Sequence, residues 1–486
     1  MPGGAELWLP RLLFQRGLGV IYLIAFLVAV NQFRPLLGEH GLEPVPLFVK
    51  QVAFADSPSL FFLAPKDWIF ASAAWLGVAL ALAAVCGLTE RFNTPVSMMC
   101  WAVMWLLYIS FVNVGQTFYS FGWETMLLEA GFCAIFLGAS RMLPNAIPLW
   151  ILRWMEFRVM FGAGLIKLRG DPCWRDLTCL DYHYETQPMP NGLSWYFHHL
   201  PRSILHGGVA FNHFIEIIAP FGYFLPQPIA SIAAVLTILF QAILMLSGNL
   251  SFLNLLTIVI AFPMLDARWF SKWLPAMASE TLQEPARWFE WATIGYAAVV
   301  ILLSIRPAIN LFSPRQLMNA SFEPLHLVNT YGAFGSIGRM RDEVIVEGTS
   351  SDAPSEYAEW KAYEFKGKPG DPMRRPPQIA PYHLRLDWQM WFAAMSSYTQ
   401  EPWFVNFVAK LLRGDRPTLS LLRYNPFPDR PPKYVRARLF RYRFTTPEEH
   451  AKTGAWWHRD FEGDWFPPIS IDTPGLQKVL REQGWE

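Results

Sequence analysis

The sequence predicts a polytopic α-helical membrane bundle of about eight or nine spans, followed by a soluble mixed α+β, sheet-containing C-terminal domain. Three observations predict it. Apolar stretches long enough to cross hydrocarbon, which takes about 20 residues, recur from the N-terminus to Ile305 and then stop. Only 16% of the 486 residues are charged and 53% are hydrophobic, against roughly 25% charged in ordinary soluble chains. Beyond residue 310, charges, prolines and alternating patterns replace the apolar runs. A mean hydropathy of +0.21 excludes a disordered chain and argues against a purely soluble enzyme. The formal net charge of +1 offers phosphate no attractive field, so no nucleic-acid partner is expected, while membrane lipids are.

The apolar stretches are residues 17–37, 68–88, 96–112, 121–139, 147–168, 209–225, 228–247, 250–265 and 288–305. One or two are short enough to be re-entrant or interfacial. The first is too long for a cleavable signal peptide and lacks a small-residue cleavage site, so it reads as a retained anchor. Short-loop cations set the orientation. With Arg11 and Arg16 inside, Arg91, Arg141, Arg268, Lys272 and Arg287 fall inside as well, whereas Lys50 and Lys66 fall outside. An odd number of spans then puts everything after Ile305 on the outer side, together with an ordered loop at 169–208. The expected domains are residues 1–309 and 310–486.

In the second domain, 342–348 (DEVIVEG) and 360–365 read as short strands. Residues 434–445 (YVRARLFRYRFT) alternate Val435, Ala437 and Leu439 against arginines, then slip phase to Phe440, Tyr442 and Phe444. A one-residue slip is what a β-bulge produces. Residues 403–412 carry apolar side chains at helical spacing.

The most informative segment is 162–191, GAGLIKLRGDPCWRDLTCLDYHYETQPMPN. It begins inside an apolar helix and emerges into a loop dense with charged and aromatic residues, whose polar groups must satisfy one another. It is either a rigid plug or a binding surface at the helix mouth. Lys167 sits at that mouth. Burial can leave a lysine neutral and able to act as a base, but a lysine there more often snorkels or pairs, with Asp171, Asp176 or Glu156 the nearest acids. Gly162 and Gly164 read as close helix packing rather than a phosphate cradle. Ionisable residues inside spans face the bundle interior: Glu124, Glu129, Arg153, Glu156, Arg158, His213 and Glu216. They form either an interior network locking helices together or a polar pocket. Cys173 and Cys179 lie on the outer side, where a short disulfide can form. The histidines show no metal-ligand spacing, so no metal is expected, and nothing calls for a cofactor. The nearest match to a hydrolase nucleophile elbow, around Ser336, has Phe334 where the first glycine belongs.

Taken together, several long strings resemble the lipase maturation factor family over nearly the full chain. They are YSFGWETMLLE at 119–129, the segment 162–191, NHFIE at 212–216, QAILMLSGNLSFLN at 241–254, HLVNTYGAFGSI at 326–337 and PYHLRLDWQMWFAA at 381–394. The resemblance implies a chaperone-like membrane factor of the endoplasmic reticulum and secretory pathway, with a lumenal C-terminal domain. Its partners would be secreted client proteins, lipases among them, which it helps to fold and assemble without cleaving lipid. Animal members tend to carry cysteines where this chain has Gly367 and Pro377. That departure points to a compact relative, in the inner membrane with a periplasmic C-terminal domain if the source is bacterial.

The family strings supply the candidate residues. Trp123, Glu124, Glu129, Arg158, Lys167 and Arg169 belong to the motif or pocket set. So do Asp171, Trp174, Arg175, Asp176, His183 and Glu185, and, further on, His213, Glu216, Asn249 and Asn254. Client-binding candidates are Asn329, Tyr331, Tyr382, His383, Arg385, Asp387, Trp388 and Trp391, in two segments expected to form an exterior surface. A more distant similarity links GLIKL around Lys167 to vitamin K-dependent carboxylases. The second expectation is therefore an intramembrane enzyme with Lys167 as base, although no histidine stands near Trp123 and Glu124 where theirs does.

Overall fold

The computed structural model describes residues 4–269 and 282–485; Lys272, used above to orient the chain, lies outside them. The helices that build the N-terminal part are α1 Trp8–Leu37, α2 Asp67–Val85, α3 Thr94–Asn113, α4 Gly122–Ala134, α5 Ala146–Arg169, α6 Arg202–Gly222, α7 Ile229–Ser247, α8 Leu253–Ala261 and α9 Arg287–Phe312. Continuous apolar sequence sustains them, because a helix satisfies its own backbone where water is absent. Local signals set their ends. Asn93 and Asn145 accept from the N–H of Val96 and Ile147 and so cap α3 and α5.

Six of these helices are long and apolar enough to cross a membrane: α1, α2, α3, α6, α7 and α9. That is fewer than the eight or nine expected, for two reasons. Residues 121–139 yield a 13-residue α4, only about 20 Å long at 1.5 Å per residue, and Leu253–Met264 is similarly short. The 24 residues of α5 would reach about 36 Å, but Arg153, Glu156, Arg158 and Lys167 interrupt its apolar character.

The helices alternate in direction. At one face α1 ends, α2 starts and α3 ends, and there Gln32 donates to the His383 carbonyl at 2.6 Å, Asp67 meets Arg34, and Gln389 donates to the Thr117 carbonyl. The opposite face collects Arg11, bonded to the carbonyls of Ser140 and Met142, and Arg16, paired with Glu90 at 2.6 Å.

The C-terminal part is an antiparallel sheet in the order β2-β1-β3-β4, with β1 Arg341–Thr349, β2 Lys361–Ala362, β3 Tyr434–Phe444 and β4 Trp457–Ile469. Residues 360–365 form a shorter strand than expected; Glu364 makes only an isolated bridge to Tyr424. β3 pairs with β1 in unbroken register, Val344 opposite Leu439. The pairing with β4 shifts register at three places, Val435/Ala437, Ala437/Arg438 and Leu439/Phe440; at the last, Leu439 faces Gly463 and Phe440 faces Phe461, so Glu462 is the extra residue. The slip was thus legible in β3, but its inserted residue belongs to β4. Edge position also explains how β4 tolerates Pro467 and Pro468.

Among the helices of this part are α10 Arg385–Ala393 and α11 Pro402–Arg413, with shorter ones at Arg416–Ser420 and Pro447–Thr453 and a last at Pro474–Gln483. The apolar face of α11 carries Phe404, Phe407 and Val408 onto Val344, Val346, Val435 and Ala437, and this core is continuous with that of the bundle. The other sheet face packs Ile345, Tyr442, Phe444 and Trp457 against Trp195 of the 169–208 loop.

Candidate functional site

The two carboxylates of α4 organise the centre of the molecule. Glu124 receives Arg385 at 2.8 Å, the Tyr108 hydroxyl, and His383 at 3.7 Å; Glu124, His383 and Arg385 are all 0% exposed. Arg385 also donates to the Phe118 carbonyl at 2.7 Å and lies 3.3 Å above the Tyr119 ring. Five residues on, Glu129 pairs with Arg158 and accepts from the Tyr331 hydroxyl at 2.7 Å and from the Asn329 backbone and side chain at 3.0 and 3.1 Å. A buried carboxylate demands such partners. Here α4 takes most of them from the C-terminal part, with Tyr108 and Arg158 from the bundle.

That demand corrects the expected exterior client surface. Asn329, Tyr331, His383, Arg385, Asp387 and Trp388 are buried, and Tyr382 and Trp391 are half-buried. Asp387 accepts from the N–H of Gly367 and Lys368 at 2.5 and 3.0 Å, and burial raises its pKa above the usual carboxylate range despite those bonds. Burial, with the Arg385 charge, holds His383 at about 4, so the ring is neutral.

Lys167 pairs with none of the acids expected from the sequence. Its Nζ donates to Glu216 at 2.5 Å and Asn212 at 3.0 Å, and lies 4.9 Å over the Trp174 ring. Glu216 reaches it from a π-helical turn, Phe214–Ile218. Pro220 has no N–H to continue the ordinary ladder there, and Ala219 bonds back to Phe214 instead. His213 does not join its i+3 neighbour Glu216; its Nε2 meets the Trp174 carbonyl at 2.9 Å. Arg153 likewise turns away from Glu156, to the carbonyls of Tyr223 and Pro263. The two glycines serve close packing: a Cβ on Gly164 would stand 2.4 Å from Ile217 Cδ1, and one on Gly162 would stand 2.5 Å from the Tyr331 carbonyl oxygen.

Many polar groups of the 169–208 loop find partners, while Asp181 Oδ1, His198 Nδ1 and His206 Nε2 are buried without a hydrogen bond. Asp171 caps the following turn through the Cys173 N–H and pairs with Arg339 at 2.8 Å; Arg339 holds its carboxyl below the usual range. Cys173 and Cys179 form a disulfide with Cα atoms 4.8 Å apart. Trp174 donates to the Phe334 carbonyl at 2.8 Å, and Arg175 to that of Leu168. His183 packs edge-on to Phe334, and burial with the nearby Lys167 charge lowers it to about 4. Glu185 accepts from the Phe444 N–H at 2.7 Å, and burial raises its pKa. Asp176 stays exposed. Asn249 accepts from the N–H of Ile379 and Ala380 at 2.7 and 2.8 Å. Arg341, which sequence reasoning passed over, ties β1 to the loop carbonyls of Glu185, Gln187 and Pro188. Gln32 was also missed, a lone polar residue in an apolar run being its only signal, and Asn212 stood in the string at 212–216 without being singled out.

Between these networks lies a mostly apolar cavity of about 710 Å3. Met126, Met160, Leu244 and Leu253 form its walls, Lys167, Glu216, Gln241 and Asn254 its polar side, and Trp123, Tyr331, Trp388 and Trp391 line it from the α4 and C-terminal sides. Among the described residues no group of three or more His, Cys, Asp or Glu is arranged to hold a metal.

Fold and site define an integral membrane protein whose helical bundle and sheet-containing domain are joined by a buried ion pair and buried hydrogen bonds. The family model described as lipase maturation factor transmembrane domain matches residues 9–272, and that for the lipase maturation factor C-terminal domain matches residues 327–467. The chain belongs to the lipase maturation factor family. It is 44% identical to lipase maturation factor 1 of Homo sapiens, over 98% of this chain and 90% of that relative, and 42% identical to the Mus musculus protein of the same name with the same coverage. Lipase maturation factor 2 of Homo sapiens is 29% identical over 98% of this chain and 85% of its own length. No solved structure matches.

Proposed function

We propose that this protein is a membrane-bound maturation factor that assists the folding and assembly of secreted proteins, lipases among them. The observation that carries the reading is 44% identity over 98% of the chain to a relative named for lipase maturation. In this reading α4, α5 and α8 also cross, as interior helices whose charges are shielded by their neighbours, giving nine alternating passes. The face bearing Arg11, Arg16, Arg91 and Arg287 is cytosolic. The C-terminal domain and the 169–208 loop share the lumenal or periplasmic side, in keeping with their mutual contacts and with a disulfide, which persists where the compartment is oxidising. The membrane is that of the endoplasmic reticulum, or the inner membrane of a bacterial source.

Client contact falls to what the domain leaves outside, where Tyr357, Met373, Tyr424 and Phe461 are exposed. Folding clients expose apolar surface and unpaired edges, which such a surface can cover. The test is co-expression with a secreted lipase in cells lacking their own factor, combined with crosslinking in native membranes. Active secreted lipase and captured client polypeptide are expected. Recovery of small lipids alone, with no gain in active lipase, would overturn the reading.

The cavity beside Lys167 favours one second reading, an intramembrane enzyme using that amine. Its partners, a carboxylate, an amide oxygen and an indole face, are those of an ammonium. A Lys167→Met/Glu216→Gln pair removes both charges without stranding either. Client maturation should survive it; loss of maturation at normal protein level would favour the enzyme.

A further inference from the structure

We infer that the central cavity binds a lipid amphiphile, an acyl chain carrying an anionic headgroup, with its tail between α4, α5, α7 and α8 and its head at Arg169 and Arg315. The volume of about 710 Å3 falls within the range of small-molecule sites, roughly 300–1,000 Å3. The walls supplied by Met126, Met160, Leu244 and Leu253 suit hydrocarbon.

The rim is charged in one sign. Arg169 and Arg315 both line the cavity and are exposed. Arg169 donates to Gln316 Oε1 at 2.7 Å and to the Leu311 carbonyl at 2.8 Å. Arg315 precedes Gln316 in the chain and lines the same cavity. Among the described residues no carboxylate pairs with either guanidinium, whereas Lys167, also lining the cavity, is neutralised by Glu216. Two guanidinium groups without a carboxylate partner at one apolar opening attract an anionic oxygen cluster.

A second observation comes from within the cavity lining. Trp123 and Trp388, with ring centroids 5.0 Å apart, both contribute to the wall. Each leaves its buried indole N–H without a hydrogen-bond partner, as does the Oδ1 of Asn254. Buried polar atoms are normally satisfied. Both N–H groups are closed off from the cavity by the packing around them, so the two rings add apolar wall for the acyl chain rather than donors for the head. The site is independent of client chemistry, so it stands or falls apart from the maturation role.

The experiment uses the full-length protein in phosphatidylcholine vesicles doped with photoactivatable, diazirine-bearing probes. These are a free fatty acid, an anionic phosphatidylglycerol and a neutral phosphatidylcholine of the same chain length. Labelled peptides are mapped by mass spectrometry. Adducts from an anionic probe are expected on 120–126, 159–170 or 250–257, and the probe that labels more identifies free acid or phospholipid as the source. Arg169→Gln/Arg315→Gln should cut anionic labelling roughly fivefold for each charge removed and leave the neutral probe unchanged. Leu253→Trp, which fills the wall, should abolish cavity adducts, with normal chromatographic behaviour as the control for folding. Adducts confined to the outer faces of α2, α7 and α9, or equal anionic labelling in the arginine variant, would overturn the proposal.

Discussion

Glu129 illustrates what one buried charge commits the chain to. It holds Arg158, Asn329 and Tyr331 together, and removing one partner of such a cluster leaves the other charge uncompensated. Glu129→Ala should therefore cost about 3–5 kcal/mol, while Glu129→Gln, which keeps an acceptor, should cost less. The apparent melting temperature of the purified protein in detergent checks the order. The histidines carry a pH dependence of definite sign. Burial holds His183, His326 and His383 at about 4 in the folded protein, against 6.5 for an ordinary imidazole. Below pH 6.5 the unfolded chain binds protons that the folded one refuses, so their contribution is complete above that pH and is lost as pH falls toward about 4. Melting temperature should decline across that window. His383→Gln should flatten the decline, because it removes the ring that faces Glu124 and Arg385.

At the scale of elements, the 169–208 loop owes its order to closures that the helices do not supply. The Cys173–Cys179 bridge spans a sequence separation of six, and a loop that short corresponds to about 2 kcal/mol of chain entropy. Cys173→Ser/Cys179→Ser should raise hydrogen exchange across 171–183 while sparing β1 and β3, whose amides pair within the sheet. The elements also divide by how readable they were. β1, β3 and α11 announce themselves through alternation or helical spacing. β4 did not, since Trp457–Ile469 mixes charges, a glycine and two prolines. Only its pairing with β3 makes it a strand. α4 read as a full span because apolar sequence continues past Ala134, yet the helix stops there.

For the whole molecule, bundle and C-terminal domain share buried contacts. Glu124 and Glu129 take Arg385, His383, Asn329 and Tyr331 from the C-terminal part, and Gln32 and Asn249 bond its backbone at 385 and 379–380. Residues 1–309 expressed alone would keep two buried carboxylates without several of their partners, and should aggregate on detergent size-exclusion chromatography. Glu124→Gln/Glu129→Gln in that truncation should recover part of the monodisperse fraction, because a neutral amide costs far less to bury unpaired than a carboxylate. No recovery, or a well-behaved truncation without it, would show that these contacts do not couple the two parts.

The sequence by itself determined the class of molecule: apolar runs of helical length, a change of pattern near residue 310 and a family signature spread along the chain. It also marked the ionisable residues that a membrane interior makes expensive. Tertiary structure alone decided who their partners are. Lys167 meets Glu216 across 49 positions, and Arg385 meets Glu124 across more than two hundred and fifty. No local pattern encodes a pairing of that separation, because it is set by which helix ends share a face and by where the domain docks on them. For the same reason 326–337 and 381–394, polar and aromatic enough to read as surface, lie largely inside: the carboxylates of α4 take partners from them beyond Tyr108 and Arg158, which the bundle supplies.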